Sequence, residues 1–462
     1  MSLPPCIVKK LKKIAGKSHV SENTEELICY SYDATGRSYL PDAVVFPLSC
    51  YQVSEILKLA YKESFAVIPR GSGSGMTGGS LPVRGGVVMV LSRMNRILEI
   101  DRDNFVAIVE PGVITGDFHR AVESQGLFYP PDPASSSFCT LGGNIGECAG
   151  GPRAVKYGVT RDYVLGLEAV TATGQIINTG VKTAKGVAGY DLTRLIVGSE
   201  GTLAVVTKII LKLIPLPEKI KTMAVLFDSM EKAAETVSVI IRKAVVPRCI
   251  EYMDKASIRC VQNDFKSILQ GAYFKNLEAV LLIEVDGSIE TVKEDAAKLK
   301  KVCIENGAVH AILAKDVQQA SELWKVRKSL SPALFKLAPN KINEDIVVPI
   351  NRIPDMVKKL EKIQKQTGLA MVSFGHAGDG NIHCNIMFDK RKNKEATLAE
   401  KAVDELFKYT LELGGTITGE HGVGITKMKY FPLETGQAEI DIMKRIKQVF
   451  DPKNNLNPGK IF

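Results

Sequence analysis

Along this chain the apolar residues switch between helical and strand spacing, and the switches mark its elements. Ile7 to Ile14 predicts a first amphipathic helix. Val44-Val45-Phe46-Pro47 predicts a short strand. Ser49 predicts a cap for a helix with Val53, Ile56, Leu57 and Ala60 on one face, and Phe65 to Pro69 a second strand, so that the three form a βαβ unit. Val87 to Leu91 and Val106 to Val109 continue the strands, and Thr115 to Val122 is a helix. Val164 to Thr171, Gln175 to Asn178 and Thr202 to Leu213 make a strand-rich block closed by Pro215 and Pro217. From Lys221 the pattern runs through a strand, a long helix from Met230 to about Ala244, the strand Ala279 to Val285 and a helix from Glu290 to Asn306. Asn381 to Phe388 alternates with a period of two. Glu400 to Leu413 and Ile440 to Phe450 are helical, the latter ahead of an Asn457-Pro458-Gly459 turn. The expected fold class is α+β. One domain covers 1–215, a second with an antiparallel sheet and covering helices covers 216–413, and a C-terminal segment covers 414–462.

A chain of 462 residues is too long for one core, which agrees with that division. Lys and Arg outnumber Asp and Glu by 60 to 51, but the basic runs, Lys9 to Lys13 and Lys390 to Lys394, are short and lack interleaved aromatics. That excludes a nucleic-acid track and leaves a mildly basic field suited to anionic substrates. Nine cysteines contain no C-x-x-C pair, so this chain is not expected to hold an iron–sulfur cluster or a Cys-rich zinc module. The apolar stretches, such as Ala279 to Ile283, are too short to span a bilayer, and the N-terminus has no apolar signal core. The expected location is the cytoplasm, with peripheral attachment to a membrane left open.

Three of only six histidines stand among glycines, in Gly375-His376-Ala377-Gly378-Asp379-Gly380-Asn381-Ile382-His383 and in Gly419-Glu420-His421-Gly422. The glycines rule out a helix between His376 and His383, so a tight loop must bridge them. Alternation then puts His383 and Asn385 on one strand face and Ile382, Cys384 and Ile386 on the other. His376, His383 and Glu420 form a candidate ligand set for a divalent metal such as zinc or manganese, with open positions for substrate. His421, adjacent to Glu420, diverges from it and is left as a candidate general base.

Arg70-Gly71-Ser72-Gly73-Ser74-Gly75-Met76-Thr77-Gly78-Gly79 contains G-x-G-x-x-G, but Pro82 and Gly85-Gly86 follow where a dinucleotide fold needs a helix. Such a loop can still cradle a pyrophosphate on its backbone N–H groups. A second glycine-rich segment runs from Pro131-Asp132-Pro133-Ala134-Ser135 through Gly142-Gly143-Asn144-Ile145-Gly146 to Gly151, and a third is Gly198-Ser199-Glu200-Gly201-Thr202. Two such loops imply a large, two-ended ligand. Taken together with the histidine motifs, these segments resemble the FAD-linked oxidases of the vanillyl-alcohol oxidase superfamily. Within it they are similar to the branch of glycolate oxidase FAD subunits, D-lactate dehydrogenases and D-2-hydroxyglutarate dehydrogenases. The resemblance spans from Tyr32-Asp33-Ala34-Thr35 to Asn457-Pro458-Gly459.

The resemblance implies a two-subdomain FAD-binding domain and a substrate domain, with the C-terminal segment completing the active site. It implies non-covalent FAD, with Arg70 to Gly78 at the pyrophosphate. Pro131, Asp132, Ser135, Gly142, Gly143, Asn144, Gly146, Cys148, Gly201 and Asn457 would complete the cofactor site. Where the family pattern has Asn-Ala-Gly-Gly, this chain has Cys148-Ala149-Gly150-Gly151. The resemblance further implies that Arg327 and Lys341 grip a substrate carboxylate, with Ser331 and Asn385 nearby. Glu344 and Asp345 would be supporting partners or surface acids. The expected reaction is oxidation of a D-2-hydroxy acid of the lactate, glycolate or 2-hydroxyglutarate class. Its electrons would pass to a quinone, oxygen, an electron-transfer flavoprotein or an iron–sulfur subunit. Two other readings stay open at this point: a zinc-dependent hydrolase, and a flavin electron-transfer subunit without substrate chemistry.

Overall fold

The Ser49 hydroxyl accepts the Gln52 N–H at 3.3 Å and starts the helix Cys50–Glu63, whose buried face is Val53, Ile56, Leu57 and Ala60. This face packs against Val45, Val67 and Val87 on one side and Val170 and Val205 on the other. It is therefore the layer between two sheets. The first has the strand order Val20–Ser21, Ala43–Val45, Val87–Val90, Val67–Arg70, with parallel pairing among the last three. The expected βαβ unit differs in one respect: its two strands do not pair, because Val87–Val90 lies between them. The second sheet is antiparallel, in the order Ile97–Asp101, Val106–Val109, Ala204–Lys212, Val164–Thr171, Ile176–Gly180.

The computed structural model describes residues 3–243, 245–264 and 276–462, and by its contacts the chain forms two units. The first comprises residues up to Gly150, Val159–Leu216 and Glu420–Phe462; the second comprises Gly151–Gly158 and Pro217–Gly419. The segment from 414 is thus split, and only its part from Glu420 folds with the two sheets just described. The helix expected from Met230 ends at Arg242, and Ala244 lies outside the described residues. Leu141–Glu147, read from its glycines as loop, is a short helix whose Thr140 hydroxyl accepts the Gly143 N–H. The cap offsets only part of the glycine cost, and the burial of Leu141 and Ile145 supplies the rest.

The second unit is a seven-stranded antiparallel sheet. Its order is His310–Leu313, Lys219–Phe227, Ala279–Gly287, Cys249–Asp254, Ala370–His376, Asn381–Phe388, Asn340–Val347. Ala370–His376 and Asn381–Phe388 form a hairpin through Ala377–Gly380, the tight loop required by the histidine spacing. Gly380 sits at φ +83°, and a Cβ there would strike the Val348 carbonyl, so glycine is required. The helix Val317–Ala333 covers one sheet face with Leu323, Val326 and Leu330 against Leu282, Met253, Phe374 and Met387. The excursion Gly151–Gly158 is clamped by Asp286, which pairs with Lys156 Nζ and Arg248 Nη1 at 2.5 Å each and accepts the Tyr157 hydroxyl at 2.9 Å. Breaking such a buried pair typically costs about 3–5 kcal/mol.

Candidate active site

Directly opposed residues in antiparallel strands share a sheet face. Glu251 lies opposite His376, Phe374 opposite His383, and Asp345 opposite His383. Asn343 lies opposite Asn385, and Lys341 opposite Met387. Four strands therefore present His376, His383, Asn385, Lys341 and Glu251 to the same side, the one covered by the Arg327 helix. The imidazoles of His376 and His383 meet edge to face with centroids 5.2 Å apart. His376 Nδ1 lies 2.5 Å from Glu251 Oε1, and because an ionised carboxylate only accepts, Nδ1–H is the donor. With that tautomer set, Nε2 is the atom through which His376 would hold a metal, the arrangement typical of metal-ligating histidines. The pair fits a divalent transition metal in donor chemistry and proximity.

Arg327 is 9% exposed and sits with its guanidinium 4.7 Å over the Phe374 ring. Its Nη2 is 2.7 Å from Glu251 Oε2, a close charge pair rather than an aligned hydrogen bond, since Oε2 remains without a hydrogen-bond partner. Burial pushes the Glu251 carboxyl up, but His376 and Arg327 outweigh it and hold the group below its ordinary value. Arg327 Nε is buried and unpartnered, as is Asn385 Oδ1. Lys341 Nζ meets the neutral Ser331 hydroxyl at 2.5 Å and the Phe335 ring at 5.5 Å, and burial lowers its pKa. Among the described residues no carboxylate pairs with it. Asp345 is fully buried, which corrects the surface-acid reading; it accepts Asn381 Nδ2 at 2.6 Å and the Gly419 N–H at 2.9 Å. Glu344 is buried as well.

In the first unit a cleft of about 1340 Å³, counted out to its open mouth, is lined by Arg70 to Met76, by Ser135, by Gly142, Gly143, Asn144 and Gly146, and by Gly201. Glu420 and His421 line it too, together with Glu147, Ser199 and Glu200, which lie in the glycine-rich segments that the resemblance puts around the flavin. A Cβ on Gly71 would strike the Thr140 hydroxyl and one on Gly73 the Arg70 guanidinium, so bare backbone faces the cleft there. This cradle fits a pyrophosphate. Arg70 itself is turned back, donating to the Tyr32 carbonyl at 2.7 Å and the Ser80 hydroxyl at 3.2 Å, and so shapes the loop from behind.

Six expected cofactor residues, Thr77, Gly78, Pro131, Asp132, Cys148 and Asn457, are not among those lining the cleft. Thr77 Oγ1 donates to the His421 carbonyl at 3.0 Å, while Gly78 packs on Ile425. The Pro131 carbonyl meets His119 Nε2 at 2.9 Å. Asn457 Nδ2 ties the Gly79 and Glu200 carbonyls at 2.8 and 2.7 Å. Cys148 ends the Leu141–Glu147 helix in the left-handed region, φ 54°, a conformation that Asn adopts more readily than most residues. Its sulfur accepts Arg161 Nε at 3.2 Å.

Glu200 accepts the Val423 and Gly424 N–H groups, both at 2.7 Å, and thereby anchors the segment bearing Glu420 and His421. Burial pushes both Glu147 and Glu200 up, and each carboxylate disfavours charge on the other. Glu200 has two backbone donors, and Lys460 and Lys427, to hold its charge. Glu147 has a sealed Oε2 without a partner and Asp33 as a further acid, so it keeps the proton. An acid whose folded pKa is raised costs stability as pH climbs from the unfolded value, about 4.3, toward the folded one, because the unfolded chain sheds its proton first. Glu147→Gln is expected to flatten this decline, gaining on wild type in the unfolding free energy measured with urea at pH 8 relative to pH 5 by up to about 1.4 kcal/mol per pH unit of the window. Parallel profiles would show that Glu147 is ionised.

Residues 216–461 match the family model of the C-terminal domain of FAD linked oxidases, and residues 41–180 match that of an FAD binding domain. The glycolate oxidase subunit GlcD of Bacillus subtilis is 46% identical over 457 residues, covering 99% of this chain and 96% of that protein. A D-lactate dehydrogenase of Anaerostipes hadrus is 35% identical over 468 residues, covering 99% and 97%. Among solved structures, p-cresol methylhydroxylase superposes with a TM-score of 0.80 at 17% identity, covering 99% of this chain and 96% of that one, which bears on the fold alone. Family models and relatives converge: the chain belongs to the FAD-linked oxidases and is an FAD-dependent oxidoreductase.

Proposed function

We propose that the protein oxidises a D-2-hydroxy acid of the lactate, glycolate or 2-hydroxyglutarate class to the 2-oxo acid. The observation that carries this is the sheet face on which Arg327 Nε and Asn385 Oδ1 are buried without partners and Lys341 is a half-buried cation that no carboxylate pairs with among the described residues. Buried polar groups are rarely left unpaired, and this set matches a small anion bearing a hydroxyl. Arg327 and Lys341 hold the carboxylate, one as a planar fork and one as a point charge. Asn385 Oδ1 accepts from the 2-hydroxyl and orients it. His421, which lines the cofactor cleft, takes the hydroxyl proton. When bound, FAD supplies the hydride acceptor at N5. His376 and His383 would hold a divalent metal, which when bound would supply a Lewis acid at the substrate hydroxyl. Glu420, the third expected ligand, belongs to the other unit.

The relatives named glycolate oxidase subunit and D-lactate dehydrogenase support the substrate class. Membership of the FAD-linked oxidases sets the hydrolase reading aside. The scattered cysteines offer no cluster spacing, so electrons pass to an acceptor outside this chain: oxygen, a quinone, an electron-transfer flavoprotein or an iron–sulfur subunit. Among the described residues no helix is long and apolar enough to cross a membrane.

The test is product formation with an artificial electron acceptor, trapping the 2-oxo acid from a panel of D- and L-2-hydroxy acids and their methyl esters. Free D-acids are expected to give product and esters little; equal turnover of acid and ester would overturn the carboxylate grip. Dialysis against a chelator is expected to abolish turnover while leaving the visible flavin absorbance bound to protein, because the two histidines and the glycine cradle belong to different units. Loss of flavin together with the metal would contradict that assignment.

A further inference from the structure

We propose that Glu251 is a positioning residue that assembles the metal-binding and carboxylate-binding groups together, one oxygen orienting His376 and the other restraining Arg327. This rests on the functional reading above, which assigns His376 to a metal and Arg327 to the substrate carboxylate. Glu251 lies on the strand Cys249–Asp254, neighbour to the hairpin strand that carries His376, and is 1% exposed. Its Oε1 is 2.5 Å from His376 Nδ1 and its Oε2 2.7 Å from Arg327 Nη2. A single buried carboxylate therefore sets which imidazole nitrogen carries the proton and where the guanidinium lies.

The two contacts differ in kind. The one to His376 is a short hydrogen bond that locks tautomer and ring orientation. The one to Arg327 is a charge pair without an aligned hydrogen bond, with Nε left unpartnered. Arg327 is thus held by Coulomb attraction and by stacking over Phe374, leaving N–H donors for a planar acid. Because the two partners share one carboxylate, changing either is felt by the other.

The test uses the FAD-loaded protein stripped of metal and titrated with Zn²⁺ by calorimetry, which reads binding without turnover. Glu251→Gln keeps the shape but removes the charge. It is expected to weaken Zn²⁺ binding about 10- to 100-fold and, with metal saturating, to leave kcat largely restored while KM for the hydroxy acid stays raised. A lowered melting temperature with unchanged Zn²⁺ affinity and KM would make Glu251 merely structural and overturn the proposal. Should Glu251→Gln fail to fold, Arg327→Gln reads the same coupling: Zn²⁺ affinity is expected to shift by at least about twofold. Lys341→Gln, whose partner is Ser331, should leave it unchanged. Unaltered affinity in Arg327→Gln would overturn the coupling. His376→Ala and His383→Ala separate the two readings. If wild type binds Zn²⁺ no better than they do, the metal assignment falls and Glu251 with it; if wild type binds better and Glu251→Gln equals wild type, only the role of Glu251 falls.

Discussion

His421→Ala is expected to slow flavin reduction by the hydroxy acid by about 10²- to 10⁴-fold, the usual contribution of a positioned general base. The visible flavin spectrum and the melting temperature should stay close to wild type. The segment is anchored by backbone groups, with the His421 carbonyl on Thr77 and the Val423 and Gly424 N–H groups on Glu200, none of which depends on the imidazole. Stopped-flow mixing under anaerobic conditions measures the step directly. An unchanged rate would remove His421 from proton transfer and leave it as a lining residue of the cleft.

The second large effect concerns Arg327. Charge-assisted hydrogen bonds contribute about 1.5–3 kcal/mol, so Arg327→Ala is expected to lower kcat/KM by about ten- to a hundred-fold, mainly through KM. Arg327→Lys keeps the charge but loses the fork, and should fall between the two. Truncation also takes one cation from the buried Glu251, so part of the effect will appear as lost stability. The methyl ester of the substrate separates the contributions. Its already poor turnover should hardly distinguish wild type from variant, whereas a purely structural defect would depress acid and ester alike. Equal kcat/KM for the free acid in wild type and Arg327→Ala would shift the grip to Lys341.

Period and punctuation carried much of the architecture. The alternation at Asn381–Phe388 put His383 and Asn385 on one face, and the glycines before it demanded the hairpin turn. Ser49 and the apolar stripe behind it marked a helix whose observed bounds are Cys50–Glu63. Pairing between distant strands was not legible. Nothing local to Val87–Val90 reveals that it lies between Ala43–Val45 and Val67–Arg70. Glu251 lies 125 residues from His376, and its one local signal is an acid inside the apolar run Cys249–Met253. The Leu141–Glu147 helix was masked by its three glycines, because the Thr140 cap and the burial of Leu141 and Ile145 that together offset them weigh little in a propensity reading. Arg70 lines the cleft with the rest of its loop, and what the motif does not reveal is that its guanidinium is held by the Tyr32 carbonyl and the Ser80 hydroxyl.

The measurement that bears most directly on the central claim is the visible absorbance of the bound flavin after anaerobic addition of D-lactate, with L-lactate as the paired control. D-lactate is expected to bleach the flavin to its reduced form and L-lactate to leave it oxidised. A flavin that stays oxidised with D-lactate, with glycolate and with D-2-hydroxyglutarate would contradict it and leave a flavin electron-transfer subunit as the better reading.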